Sequence, residues 1–185
     1  MSGVELVTKR LVVRTPRRGD GSLYAKYYTD NRDFLQPWSP TFRTEMFSSR
    51  GWEDSIPTIL QHMHQGIAYR FCLIYNKEII GVANVTDIKL NPFYGGIVGY
   101  TLSEACQGQG IMAEALEAII SYLFEEQNMH RLSAMYMPRN ERSGRLLRKL
   151  GFQVEGYARD YLLIDGQWED HVMTSLVNQS WRSPV

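Results

Sequence analysis

Apolar positions along this chain alternate between two spacings, a period of two and a period of three to four. Runs rich in β-branched and aromatic residues at 9–15, 70–75, 78–85, 97–102, 131–137, 157–164 and 168–177 read as strands. Helical spacing predicts helices at 23–31, 51–65 and 113–124, and a fourth that opens at Arg139-Asn140 and closes at Leu150-Gly151. Asp20-Gly21-Ser22 supplies N-cap chemistry for the first. The second carries Trp52, Ile56, Leu60 and Met63 on one face, with Pro57 placed near its start. The third puts Leu116, Ile119, Ile120 and Leu123 against a sheet. In the fourth, Gly151 is the expected residue just past the end.

Turn residues link these elements. Asn76-Lys77 and Asp165-Gly166 are hairpin signals. Gln36-Pro37-Trp38-Ser39-Pro40 makes a stiff loop, and residues 91–96 turn the chain into the strand at 97–102. The order predicts an α+β fold: a mixed, mainly antiparallel sheet of about seven strands flanked by helices, with one parallel strand-helix-strand crossover. No repeat, linker or low-complexity run interrupts it, so one domain is expected over residues 1–185. Trp38, Phe34 and Trp52 are expected to pack the helical region, with the proline-rich loop as an alternative wall of an acceptor groove.

Composition narrows the function classes. Twenty basic and twenty acidic side chains cancel, so no global field draws the chain onto nucleic acid, and no direct DNA binding is expected. Hydrophobic residues make up 44% and charged ones 22%, as in ordinary globular proteins. The apolar run at 118–124 is too short to span a bilayer, and the start has no signal-peptide core, which predicts a cytoplasmic protein with no membrane partner. Cys72 and Cys106 lack metal-like spacing and are expected as free thiols. His62 and His64 lie two apart on a helix and so point to different sides, while His130 and His171 have no ligand-like neighbours; no metal is expected.

The segment Gln107-Gly108-Gln109-Gly110-Ile111-Met112-Ala113 carries the most chemistry, because it joins a strand to a helix. Glycines let backbone approach a ligand, and the first amides of a helix lack intrahelical partners, so such a loop suits phosphate. A plain helix start is the alternative. Gly108-x-Gly110-x-x-Ala113 also matches the dinucleotide fingerprint, but the ribose-binding acid that this reading needs is missing from residues 128–133. No Gly-Lys-Ser/Thr follows, which excludes a Walker-type loop.

The order strand, Gln107-x-x-Gly110-x-Met112, helix resembles the acetyl-coenzyme A loop of the GNAT N-acetyltransferases. The last motif position is usually Gly or Ala, and Met112 departs from that pattern as one branch of the family does. Asn140-Glu141-Arg142-Ser143 and Leu150-Gly151-Phe152-x-x-Glu155-Gly156 resemble the second half of the family pattern. With TKRLVVR near the start and DYLLIDGQWEDH late in the chain, nearly the whole sequence is similar to the RimJ/RimL-type ribosomal-protein N-terminal acetyltransferases, most of all to the alanine-specific kind.

That resemblance implies the GNAT fold and acetyl-CoA as co-substrate. The acceptor it implies is a ribosomal-protein N-terminus, with the ribosomal small subunit as a partner and a monomer or homodimer as the working form. Small-amine acetylation and a coenzyme A-binding ribosome-assembly module remain alternatives. It assigns the pyrophosphate to amides among Gln107, Gly108, Gln109, Gly110, Ile111, Met112 and Ala113, and the pantetheine arm to the backbone of Tyr100, Thr101 and Leu102. Asn140 would bond the arm and Ser143 would serve the departing thiolate, since Leu147 stands where many GNAT enzymes have a tyrosine. The alternatives are a helix N-cap for Asn140 and an ordinary first-turn residue for Ser143. By location, Asp87, Asp160 and Glu104 are the candidate bases, each with a solvated surface carboxylate as its alternative.

Overall fold

The computed structural model describes residues 3–184. Its strands are β1 (Glu5–Val7), β2 (Val12–Arg14), β3 (Tyr69–Tyr75), β4 (Glu78–Lys89), β5 (Gly95–Leu102), β6 (Arg131–Tyr136), β7 (Gln153–Ile164) and β8 (Gln167–Val177). The helices are α1 (Gly21–Asp30), α2 (Arg32–Leu35), α3 (Ser49–His64), α4 (Ile111–Glu125) and α5 (Glu141–Lys149). One sheet runs β1-β2-β3-β4-β5-β6-β8-β7. Only the β5–β6 pairing is parallel among the described strands, so the predicted mixed, mainly antiparallel sheet is observed. The structure has eight strands where the sequence reading expected about seven. The run at 9–15 opens with a tight turn instead, closed by Thr8 N–H to Leu11 O at 2.9 Å and Leu11 N–H to the Thr8 hydroxyl at 3.0 Å.

The β5–β6 pairing is short, and that positions the site. Gly95, Gly96 and Ile97 pair with Arg131, Leu132 and Ser133, after which the two strands part. A Cβ at Gly95 would stand 2.2 Å from the Arg131 carbonyl oxygen, and one at Gly96 would stand 2.9 Å from Val85 Cγ1. Glycine at 96 makes room for the β4 side chains beside it, and glycine at 95 lets the β5 and β6 backbones close at the base of a V. Above it, the edge of Val98–Leu102 turned away from β4 faces no strand.

Each face of the sheet has its own core. On one, α4 seats Ile111, Leu116, Ile119 and Leu123 against Val13, Phe71, Ala83, Val98 and Leu132. On the other, α1 and α3 bring Tyr24, Tyr28 and Trp52 over Cys72 and Val82. Trp52 stacks between the two tyrosines, 4.4 and 5.4 Å from their ring centres. Trp52 and the half-buried Phe34 pack this core as expected. Trp38 does not: it stays 36% exposed, with the Arg139 guanidinium 4.8 Å over its ring.

Both hairpin turns take the left-handed conformation, which Asn76, Asp165 and Gly166 favour and Lys77 adopts with them. Asn76 and Lys77 have φ of 49° and 67°, and Asp165 and Gly166 have 45° and 79°. Pro57 lies inside α3, not near its start, because the helix already begins at Ser49, where the Ser48 hydroxyl accepts the Gly51 amide. The buried Trp52 and Ile56 hold that helix to the sheet despite the missing donor. Cys72 is buried and Cys106 half-buried, and both are free thiols.

The expected cap of α1 is replaced. Asp20 flanks the helix but makes no side-chain cap bond. Its carboxylate instead takes both terminal nitrogens of Arg14 at 2.7 and 2.8 Å, a buried pair. Glu53 of α3 reaches across to accept the Gly21 amide at 2.6 Å and the Gly19 amide at 3.1 Å. Glu53→Ala should therefore cost about 1 kcal/mol, as loss of a helix cap does, and lower Tm by about 2–4 °C. Thermal unfolding by circular dichroism checks this, and an unchanged Tm removes the capping role.

Candidate active site

The loop at the open end of the V presents a row of amides. Among the described residues, no protein acceptor takes the N–H groups of Gly108 through Ala113; the first helical bond is Glu114 N–H to Gly110 O at 3.1 Å. Gly108 and Gly110 adopt φ of 73° and 72°, and a Cβ at Gly108 would meet nothing within 4 Å. The Gln107 side-chain amide donates to Leu102 O at 2.9 Å and that of Gln109 to Ala105 O at 3.0 Å, which fixes the curve of the loop. Helix α4 begins at Ile111, two residues before the sequence expectation, so Ile111, Met112 and Ala113 point their side chains into the core and leave their amides outward. Met112 fills a core site, which accommodates the departure from Gly or Ala. Converging amides at a helix N-terminus fit a pyrophosphate.

A clamp that the sequence reading missed braces this loop. Glu114, in the first turn of α4, accepts the Thr8 hydroxyl at 2.7 Å, the Arg10 amide at 2.7 Å and Arg10 Nε at 2.6 Å. Arg10 also donates from Nη1 to the Gln109 carbonyl at 2.8 Å. Burial pushes the Glu114 carboxyl up, but the Thr8 and Arg10 hydrogen bonds outweigh this and hold it below the usual carboxylate range. Roughly a hundred positions separate the partners, so no local pattern joins them.

Tyr27 of α1 and Asn31 just after it hold the upper end of β5 and the two residues that follow. Tyr27 donates to the Thr101 hydroxyl at 2.9 Å. Asn31, buried, accepts the Ser103 hydroxyl at 2.9 Å and the Glu104 amide at 3.1 Å. The register turns Tyr100 towards the α4 side and Gly99 and Thr101 towards the α1 side. Tyr100, Thr101 and Leu102 thus lie along the open edge of the V, as the resemblance implies.

Across the opening, Tyr100 Oη and Ser143 Oγ stand 2.8 Å apart. Burial pushes the Tyr100 hydroxyl up to about 12, against the Ser143 hydrogen bond, which lowers it. The structure thus gives the Tyr100 side chain a partner in Ser143, where the sequence reading used only the tyrosine's backbone. Asn140 caps α5: its side-chain oxygen accepts the Ser143 amide at 3.2 Å, which leaves the NH2 group to other partners. A Cβ at Gly144 would meet the Tyr136 ring at 2.7 Å, so glycine lets the first turn of α5 lie directly on β6.

None of the three candidate bases is buried. Asp87 and Glu104 are exposed, as is Asp160, whose amide donates to Asp170 at 2.9 Å. The proline-rich loop is tied to Arg139, just before α5, and to the β7–β8 turn. Arg139 donates to Pro37 O at 3.0 Å and to Glu169 at 2.8 Å, and Ser39 O accepts the Asp165 amide at 3.2 Å.

Known proteins resemble this chain in sequence and fold. The family model described as acetyltransferase (GNAT) domain matches residues 10–153. The chain is 46% identical over 180 residues, 96% of its own length and 93% of the relative's, to the [ribosomal protein uS5]-alanine N-acetyltransferase of Escherichia coli. A crystal structure of ribosomal-protein-S5-alanine acetyltransferase from Vibrio fischeri superposes with a TM-score of 0.94 at 36% identity, covering 97% of this chain and all of that one. Mycobacterium smegmatis RimJ in complex with CoA-disulfide, at 21% identity and a TM-score of 0.87 over 96% of this chain and 87% of its own, shares the fold. The open β5–β6 edge, the amide row and the matched family pattern agree, and the chain belongs to the GNAT acetyltransferase family.

Proposed function

We propose that this enzyme transfers the acetyl group of acetyl-CoA to the N-terminal α-amine of a ribosomal protein whose first residue is alanine. The high identity to the Escherichia coli uS5-alanine enzyme over nearly the full length of both chains carries this reading. The cytoplasm and the ribosomal small subunit are the setting that follows from such an acceptor. Among the described residues, no helix is long and apolar enough to cross a membrane.

Acetyl-CoA brings an activated thioester, and the residues of the chain orient it and manage protons. Backbone amides of Gly108–Ala113 hold the pyrophosphate, and the free edge of Tyr100–Leu102 takes the pantetheine arm as a partner strand would. The NH2 group of Asn140, left over from capping, donates to the arm. The acceptor amine must be neutral to attack the carbonyl carbon. With reference pKa values near 7.9 and 10.4, neutralisation at pH 7 costs roughly 1.2 kcal/mol for an α-amine and about 4.6 for lysine. An α-amine thus needs only to lose its proton to bulk water, with a backbone carbonyl able to orient the amine, which suits a site whose candidate carboxylates are all exposed. As the C–N bond forms and the C–S bond breaks, Ser143 gives its proton to the sulfur. The serine oxygen regains a proton from the Tyr100 hydroxyl, which solvent restores.

Thiol release with an Ala-initiated peptide tests the reading, with spermidine as the small-amine control and mass spectrometry to locate the acetyl group. Acetylation at the peptide α-amine is expected. Preference for spermidine, or coenzyme A binding without turnover on either acceptor, overturns it.

A further inference from the structure

A cavity of about 560 Å³ opens on the α1–α3 face of the sheet, outside the residues assigned to the donor. Its walls include Arg43, Trp52 and His62, and its floor Arg70, Asn84 and Thr86. Asn84 pairs directly with Gly99, two residues beyond the last β5–β6 partner. Gly99 does not take a positive φ, and a Cβ there would meet nothing within 4 Å. The backbone does not demand glycine, so what its small size provides is clearance. Gly99 is exposed, so it leaves open space between Asn84 and the V.

The floor also carries a poised cation. Arg70 donates from Nε to Asn84 Oδ1 at 2.8 Å, and its guanidinium lies 5.2 Å over the Trp52 ring. No ion pair takes its terminal nitrogens among the described residues. Glu45 and Asp54 line the walls, so the charge of the cavity is mixed, but at the floor it is Arg70 that faces an arriving chain. A fork of fixed donors on an aromatic plane suits a carboxylate.

We infer that this cavity holds the acceptor polypeptide just downstream of its α-amine, extended, with an acidic side chain on Arg70. The inference rests on the proposed function and adds a sequence preference to it. Two strand spacings, roughly 10 Å, separate the floor from the opening of the V, a distance spanned by about three extended residues. The acid therefore belongs at the third or fourth position of the acceptor.

Ala-initiated peptides differing only by Glu or Gln at those positions test this, in the wild type, Arg70→Gln and Gly99→Val. The wild type is expected to favour the Glu peptide about tenfold in KM, with Arg70→Gln erasing the preference. Gly99→Val is expected to raise the KM of both peptides while the Kd of acetyl-CoA stays within about twofold. Calorimetry with the Nα-acetylated product peptides, in the presence of coenzyme A, reads the same preference without turnover. Bound product that discriminates Glu from Gln in an enzyme that acetylates neither peptide overturns the proposed function and leaves the groove standing. Equal preference in wild type and Arg70→Gln, or an unchanged peptide KM in Gly99→Val, overturns the groove.

Discussion

Ser143→Ala is expected to lower kcat about a hundredfold and to leave the Kd of acetyl-CoA within about twofold. A positioned proton donor is worth about 10²–10⁴ in rate, and the low end applies because a thiolate, with pKa near 8.5, is already a fair leaving group. Tyr100→Phe should have a smaller effect in the same direction, about tenfold in kcat, since Ser143 keeps its hydroxyl and loses only the 2.8 Å partner. The Tyr100 hydroxyl is pushed up to about 12, so it remains a donor through neutral and mildly alkaline pH, and the wild-type rate should show no loss there from tyrosine ionisation. Single-turnover and steady-state thiol release, with calorimetry for the donor, separate rate from affinity. If both variants keep the wild-type kcat, the hydroxyl pair has no part in the chemistry.

The hydroxyl pair also marks where reading the sequence stops. Helix periods and hairpin turns are local, and Asp165-Gly166 and Leu116 to Leu123 could be placed because their own neighbours decide them. The glycine loop was legible for the same reason: its ligand is backbone, and position after a strand and before a helix sets the direction of the amides. What stayed hidden depends on pairs far apart in sequence. Tyr100 meets Ser143 across the V at a separation of 43 positions, and Glu53 caps a helix that begins 32 residues earlier. Asp20 carries the right chemistry for a cap, yet the buried Arg14 claims its carboxylate. Local propensity lost there to a desolvated charge that had to be paired. Trp38 was misplaced because an aromatic ring satisfies a guanidinium as well as it satisfies a core.

Arg10→Ala should weaken coenzyme A binding about thirtyfold without touching a single amide of the phosphate row. Glu114 stands in the first turn of α4, where its negative charge lies within about one helical turn, 5.4 Å, of any anion held at the N-terminus. Like unit charges about 6 Å apart interact by about 2.8 kcal/mol at an effective dielectric of 20, and exposure at the loop reduces this to about 2 kcal/mol. Arg10 neutralises that charge through Nε while Nη1 holds the Gln109 carbonyl, so its loss exposes the pyrophosphate to an unpaired carboxylate and loosens the loop. Glu114→Gln removes the charge and keeps an oxygen for the Thr8 hydroxyl and the Arg10 amide, so its affinity should match or exceed the wild type. The decisive chain is the double variant. Arg10→Ala with Glu114→Gln should recover to within about threefold of wild type, because no carboxylate is left to repel the ligand. If the double variant binds as weakly as Arg10→Ala, the arginine contacts the anion itself and the neutralising role is wrong. Two further readouts follow from the same charge. The Arg10→Ala defect should shrink from 0.1 M to 1 M salt as the screening length falls from about 10 to about 3 Å. It should also shrink as the pH drops through the carboxyl range of Glu114, because a protonated Glu114 no longer repels phosphate; in the wild type the Thr8 and Arg10 hydrogen bonds move that protonation to lower pH.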